Sequence, residues 1–408
     1  MSIPRVQVIV LGGGPAGLLA AAHLAPSLEV MLLERGQIGT TDKFWLSTIE
    51  RLKLHGLEDC IVHRANRGTV GCFLGPPAVA SGEYCVVDEE HLLRTLKNRC
   101  ASRGVRLREG VAAMSVSWGP NELSVRTTSA EARCRLIVDA TGGNSPLALT
   151  FRLQKIKGFY SIFGAHLQGV DLLTQDIVGA EVLRLGLPLP LFEMVPTGGE
   201  SAHVVLFHAV QRLIPPSNLE VSFNEHLCEN PFFRMRSSTV ATPTLGAIPI
   251  GAPSARRLPG VIAVGEAGMI QAPLLGTAFN EVLDTIDPMM NRVLAAFDSQ
   301  KHGVVSPRVS VSGRKRANDA IQSVLASLLL RGSIEGFERL VRFLHLLGPE
   351  RAYRLFASRL HGMDWQSIIC SAVRARLGRD KLAPQELSHN LPRNQKTDDI
   401  GRRCRDRG

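Results

Sequence analysis

The chain opens on a short apolar run, VQVIVL at residues 6–11, which meets GGGPAG at 12–17. A run that is β-branched and apolar on both faces suits a strand buried inside a parallel sheet. An Ala/Leu-rich helix follows from Leu18, and a second apolar strand at 29–33 ends in Glu34. Strand, glycine turn, helix and strand within about thirty residues specify a βαβ unit. In such a unit Gly12 allows the tight turn, Gly14 lets the backbone approach a pyrophosphate, and Gly17 lets the helix pack on the strand. Pro15 and Ala16 belong to the turn, and the helix that follows offers its unpaired N–H groups and positive dipole end to the phosphates. Glu34, with Arg35 beside it, is placed to accept hydrogen bonds from ribose hydroxyls. This unit predicts a dinucleotide site that could hold NAD or FAD.

Two later segments point to FAD. LIVDATG at 136–142 is a strand ending in Asp139 and Gly142, where a chain of this kind returns to the dinucleotide sheet. IAVGEAGMIQAPLLGTAFN at 262–280 is a strand, a Gly265-Glu266 turn, Pro273, and then Gly276, Thr277 and Ala278 at a helix start. Glu266 can hold ribityl or ribose hydroxyls, and N–H groups near 275–277 can face the N1–C2=O edge of an isoalloxazine. FAD is therefore the expected cofactor. No second Gly-rich βαβ unit is present, so NAD(P)H is expected only as a transient electron donor, or a reductase partner supplies the electrons.

The expected fold is α/β, an α+β two-domain flavoprotein. It combines a GxGxxG Rossmann-like FAD domain, an antiparallel-sheet substrate domain and C-terminal helices. Residues 1–157 are expected to form the FAD-binding βαβ domain with interleaved segments. Within them a helix is expected at 88–104, and strands at 114–118, 123–127 and 134–138 read as an antiparallel meander. Residues 158–245 form the substrate domain, being strand-rich, apolar and broken by Pro and Gly. Residues 246–300 return to the FAD domain, and 301–376 show helical periodicity. The polar, charged remainder, 377–408, reads as a disordered tail.

A formal net charge of +10 raises the question of nucleic acid. The basic residues are scattered, however, and no recognition motif accompanies them, so no specific nucleic acid is expected. Peripheral contact with an anionic membrane surface fits the charge equally well. The eight cysteines form no Cys-x-x-Cys pair, and no His cluster has metal-ligand spacing, so no metal is expected and the thiols read as free. The early first strand leaves no room for a secretory signal, and no apolar stretch is long enough to span a bilayer, which predicts a cytoplasmic protein.

GGGPAG with Glu34, DATG at 139–142 and GEAGMIQAPLLGTAFN at 265–280 together resemble the flavoprotein monooxygenase superfamily with the p-hydroxybenzoate hydroxylase fold. The usual final segment of that superfamily reads Gly-Asp-Ala-Ala-His, a Pro, then Gly-x-Gly-x-Asn. This chain keeps Gly265, Ala267, Pro273, Gly276 and Asn280, and departs at Glu266, Gly268, Met269 and Ala278. Within the superfamily it is similar to the lycopene-cyclase branch in GAIPIG at 246–251, in Gly268-Met269, and in the run from Gly336 to Leu360.

The resemblance to cyclases implies an acidic Phe-x-Glu-Glu-Thr stretch whose Glu protonates a polyene. The comparable segment here, VVLFHAV at 204–210, offers His208 and no acid, and Glu193 could substitute only by pointing into the cavity. The expected activity is therefore an FAD-dependent oxidoreductase, a monooxygenase working through a flavin C4a-hydroperoxide. It would epoxidise or hydroxylate a hydrophobic polyketide, terpenoid or polyene in secondary metabolism. The alternatives are a redox-neutral cyclase or isomerase, and a dehydrogenase or reductase of a prenyl or polyene double bond. The catalytic candidates are Trp45, which follows the Glu34 strand where related hydroxylases place residues near the flavin, with His208 and Glu193.

Overall fold

A computed structural model describes residues 4–377 apart from 42, 187, 309–311 and 361. The expected tail lies outside the described residues beyond Leu377. Two large sheets organise the chain. The first has five parallel strands in the order Val261–Ala263, Leu136–Asp139, Val8–Leu11, Val30–Leu33, Arg106–Arg108. Val8–Leu11 is buried at every position because both of its faces are covered. Val8 and Val10 pack among the helical residues Leu18 and Leu24, while Ile9 and Leu11 pack against Leu123 and Val125 of a three-stranded meander. That two-sided cover is why the sequence shows a continuous apolar run rather than an alternation.

The meander runs through Ala113–Trp118, Leu123–Thr127 and Glu131–Cys134. The single strand expected at 134–138 is in fact two. Glu131–Cys134 closes the meander, and Leu136–Asp139 pairs in parallel with Val8–Leu11. The expected helix at 88–104 is Glu89–Ser102, capped by the Asp88 carboxylate accepting from the His91 N–H.

The second sheet has eight strands in the order Phe233–Pro253, Gln154–Leu172, Ser201–Val210, Pro190–Gly198, Ile177–Val182, Ile61–Cys72, Ala78–Val87, Leu46–Thr48. Every pairing is antiparallel except that of Ile177–Val182 with Ile61–Cys72. Residues 61–87 therefore lie in this sheet, although they precede residue 158, and residues 246–253 lie in it as well. The sequence reading groups both stretches with the nucleotide-binding parts, with interleaved segments allowed for in 1–157; in the structure they pair in the eight-stranded sheet. The strand Ile61–Cys72 carries His63, Arg64, Asn66 and Arg67 and is half exposed, so it lacks the apolar run that marks the buried strands.

The helix Phe279–Ser299 packs on Pro15–Leu24 behind the parallel sheet. Four more helices follow: Gly313–Leu330, Ile334–Leu347, Pro349–Phe356 and Gly362–Leu377. Phe337, Leu340, Leu344 and Leu355 bury their side chains with Ala78, Ala80 and Val182 of the eight-stranded sheet. The helices thus cover the sheet and close one side of a cavity. Ion pairs hold them to the rest of the chain. Buried Lys315 meets Glu281 at 2.8 Å, and the Arg51 guanidinium donates to both Asp284 carboxylate oxygens and to the Ala357 carbonyl.

Candidate functional site

The turn after Val8–Leu11 is built by close approach. Gly12 has φ +103°, and a Cβ there would sit 2.4 Å from the Ala140 carbonyl oxygen. A Cβ on Gly17 would sit 2.0 Å from the Gly12 carbonyl oxygen. Gly14 differs: no atom lies within 4 Å of the place its Cβ would take, so its backbone faces an open cleft. It also caps the helix Pro15–Leu24, which has no acid in its first turn to compete for an anion. Glu34 anchors the other end, its two carboxylate oxygens accepting from Gly13 N–H at 2.6 Å and Gly36 N–H at 2.8 Å.

Two further turns reach the same cleft. Asp139 is fully buried and accepts from the Thr141 N–H and hydroxyl and from the Ser145 hydroxyl. It shapes the turn that brings Ala140, Thr141 and Gly142 to the cleft and does not itself line it. Glu266 does line it, accepting from Gly143 N–H at 3.0 Å and facing Lys43 Nζ at 3.4 Å. Gly265, Gly276, Thr277 and Ala278 line the cleft, whereas Gly17 and Pro273 stand behind it. The Tyr160 hydroxyl donates to the carbonyls of Pro273 and Leu274, which ties that loop to the eight-stranded sheet.

The cleft continues into a cavity over the sheet, and together they enclose about 600 Å³. That volume is in the range of small-molecule sites. The cavity floor follows from strand register. One row runs Gly164, Val205, Glu193, Ala180, Val70 across five strands, and the next includes Ile162, Phe207 and Leu191. Leu329, Phe337, Leu340, Leu344 and Phe356 of the C-terminal helices form the roof.

Glu193 is the acid of this floor. It lines the cavity without a hydrogen-bond or ion-pair partner among the described residues, and burial pushes its carboxyl up to about 7. Trp45 also lines the cavity and stacks on Phe279 with ring centroids 5.3 Å apart. His208 does not reach it. Side chains alternate along a strand, so the residue after Phe207 faces the opposite side of the sheet, where the ring lies 3.2 Å from the Pro188 carbonyl oxygen.

Some residues at the site carry no sequence signal. The roof residues read along the chain only as helix-packing positions. A cluster behind Phe44 joins residues from three separate segments. His203 stacks on Phe44 at 4.4 Å and packs tilted against His166 at 4.6 Å, and its Nε2 lies 3.7 Å from Glu89 Oε1. Burial pushes Glu89 up to about 7 and pulls His203 down to about 3. Among the described residues no group of three or more His, Cys, Asp or Glu is placed to hold a metal, and no helix is long and apolar enough to cross a membrane.

Residues 7–173 match the family model described as lycopene cyclase protein. No curated protein matches the chain by sequence. Among solved structures, a geranylgeranyl bacteriochlorophyll reductase-like protein from Thermoplasma acidophilum superposes with a TM-score of 0.66 at 14% identity, covering 92% of this chain and 97% of that one. The halogenase PltM, solved in complex with phloroglucinol and FAD, superposes with a TM-score of 0.63 at 14% identity, covering 90% and 85%. The Diels-Alderase PyrE3 of pyrroindomycin biosynthesis superposes with a TM-score of 0.60 at 17% identity, covering 87% and 81%. At these identities the likeness is one of fold. The chain shares the fold of two-domain FAD flavoproteins and is lycopene cyclase-like over residues 7–173.

Proposed function

We propose that the chain binds FAD in the cleft and is an enzyme acting on an uncharged hydrophobic substrate, of polyene or terpenoid type, held in the cavity. Gly14, the N-terminus of Pro15–Leu24 and the turn at 140–142 would take the pyrophosphate, and Glu34 the ribose. Glu266 would hold further hydroxyls, and the backbone at 275–277 would face the flavin ring. The open space at Gly14 supports this fit, since a side chain there would fill the path of a bound pyrophosphate. When bound, FAD supplies a ring whose oxidation state sets the charge and electron supply beside the substrate.

The observation that carries the reaction reading is Glu193. A carboxyl without partners in an apolar floor keeps a large protonated fraction near neutrality and is poised to give a proton to a carbon–carbon double bond. Such a group supports redox-neutral cyclisation or isomerisation. The sequence ranks that reading below monooxygenation for want of an acid, unless Glu193 faces the cavity. Phe207, Phe337 and Phe356 exclude water from the cation formed by protonation. The protein loaded with FAD and reduced anaerobically should convert an acyclic polyene to an isomer carrying one solvent deuterium in D2O, and Glu193→Gln should abolish the label. Oxygen uptake with an oxygen atom in the product would refute the cyclase reading.

That outcome would select the second reading, monooxygenation with NAD(P)H or a reductase as electron source. It is favoured by the apolar, roofed cavity that opens directly on the cleft, since reactive flavin–oxygen chemistry needs a dry site. Reduction of a prenyl double bond is supported by fold likeness to the reductase-like protein alone.

A further inference from the structure

We propose that His203, His166 and Glu89 form a buried proton relay that recharges Glu193 from the hairpin turn at 197–201. The proposal rests on the reading of Glu193 as a proton donor. Glu193 gives a proton to the double bond and the cation releases one from a neighbouring carbon, so over a turnover one proton must enter and one must leave by the same relay run in reverse. No water-exposed titratable group adjoins Glu193 in its row. Its neighbours there are Val205 and Ala180, followed by Gly164 and Val70. On the same face, the next row toward the hairpin turn runs His166, His203, Val195. His203 and Glu193 are diagonal neighbours across adjacent strands, a separation of about 7 Å between backbones that two inward side chains can span.

From His203 a line of polar groups leads outward. The His166 ring lies tilted against it at 4.6 Å between centroids, Thr197 Oγ1 lies 3.4 Å from His166 Nε2, and the Thr197 hydroxyl donates to Ser201 Oγ at 2.8 Å. Both hydroxyls sit at the turn whose tip, Gly199 and Glu200, is exposed. Side-chain rotation or a bridging water closes the longer gaps.

Glu89 supplies the charge that the relay lacks. Burial and the facing His166 imidazole both disfavour a protonated His203. Glu89 Oε1 is buried without a hydrogen-bond partner and points to within 3.7 Å of His203 Nε2. An ionised Glu89 would stabilise a transient His203 imidazolium, and the other charges acting on Glu89 are the like-signed Asp88 and Glu90. The step is a chain of proton transfers and nothing is oxidised. A proton enters at the turn, His166 passes it to His203, and the His203 imidazolium protonates the Glu193 carboxylate while Glu89 balances the charge.

The test is the rate at which the Glu193 carboxylic acid exchanges its proton when the FAD-loaded full chain is mixed from H2O into D2O. It is read by time-resolved infrared as the shift of the protonated C=O band that Glu193→Gln removes. Glu89→Gln and His203→Phe should each retain that band and slow its exchange about tenfold or more. Thr197→Val, at the surface turn, should slow it too, and it carries the test where His203→Phe fails to retain FAD. Unchanged exchange in these variants, with the band present, overturns the relay and leaves the reading of Glu193 standing. Absence of a Glu193-dependent protonated band in the parent protein at neutral pH overturns that reading as well.

Discussion

Two glycines of the first turn, Gly14 and Gly17, predict opposite responses to the same small perturbation, the addition of one methyl group. Gly14 has φ −75° and ψ 179°, a conformation open to any residue, and its Cβ would meet nothing within 4 Å. Gly14→Ala should therefore leave the apoprotein intact. The gain of about 0.4–1 kcal/mol from narrowing the unfolded ensemble is offset by the poorer fit of Ala at this N-cap, so apoprotein stability should change by less than about 1 kcal/mol. At Gly17 the added Cβ falls 2.0 Å from the Gly12 carbonyl oxygen and 3.3 Å from the Ala140 Cβ. The helix Pro15–Leu24 must then lift from the strand, at a cost of about 1–3 kcal/mol as for other overpacked sites.

Binding should separate the two variants further. If the open space at Gly14 is the path of a pyrophosphate, the methyl added by Gly14→Ala occupies it, and about 1–3 kcal/mol of steric strain weakens FAD about 10- to 100-fold. Urea denaturation of the apoproteins, followed through tryptophan fluorescence, gives the stabilities, and flavin fluorescence during titration gives the affinities. The expected pattern is a stable Gly14→Ala apoprotein that binds FAD poorly. A Gly14→Ala variant with parental affinity, or one less stable than Gly17→Ala, would refute the reasoning.

Other expectations follow from buried charges. Glu193 and Glu89 both titrate near 7 in the folded chain, against an unfolded value of about 4.3. Between those values the folded state binds more protons, so stability contributed by these groups is lost as pH rises from about 4 to about 7. The pH dependence of urea unfolding should flatten in Glu193→Gln and in Glu89→Gln, and a steeper slope in either would count against their burial as acids. Arg51, 0% exposed, bonds Asp284 and the Ala357 carbonyl. Arg51→Met leaves an exposed Asp284 with Arg359 4.0 Å away and removes the hydrogen bonds to Asp284 and the Ala357 carbonyl. It should therefore destabilise the chain by about 1–3 kcal/mol, with earlier proteolysis of the helices after residue 313; unchanged denaturation would show that the clamp contributes little. Phe337→Ala removes a fully buried ring shared by the cavity roof and the helical core, and should lower stability by about 3–5 kcal/mol, as read by thermal unfolding.

The parallel sheet was legible because burial on both faces leaves a continuous apolar run, as at 6–11 and 136–139, and because glycine spacing marks the turns. The strands at 61–87 were not legible. One face of Ile61–Cys72 meets solvent, and its His, Arg and Asn side chains break the apolar pattern. The apolar stretch near 134–138 misled for the opposite reason: Arg135 separates two strands that belong to different sheets. The structure brings the glycine turns, Glu34 and Glu266 to one cleft, as their grouping along the chain suggests, but the sequence did not distinguish Asp139 and Gly17, which shape the cleft from behind, from residues that line it.

Glu193 shows why the acid of the cavity could not be read along the chain. A linear comparison looks for an acid within one strand, at 204–210, and finds a histidine that faces away. A cavity floor is two-dimensional, however, and any residue in the correct row on any of five strands can present a carboxyl to the same space. The pairing of Glu193 with Val205 places the acid one strand over from the segment where it was sought. Register, which depends on how hairpin turns such as 197–201 close, decides which side chain faces the cavity. A one-residue slip of Pro190–Gly198 would turn Glu193 to the packed side and bring Phe192 or Met194 to the floor. Both of those are now fully buried among apolar side chains, including Leu206 and Phe232. The packing that fixes the register therefore also fixes the acid, and the chemistry of the cavity depends on a hydrophobic core on the other face of the sheet.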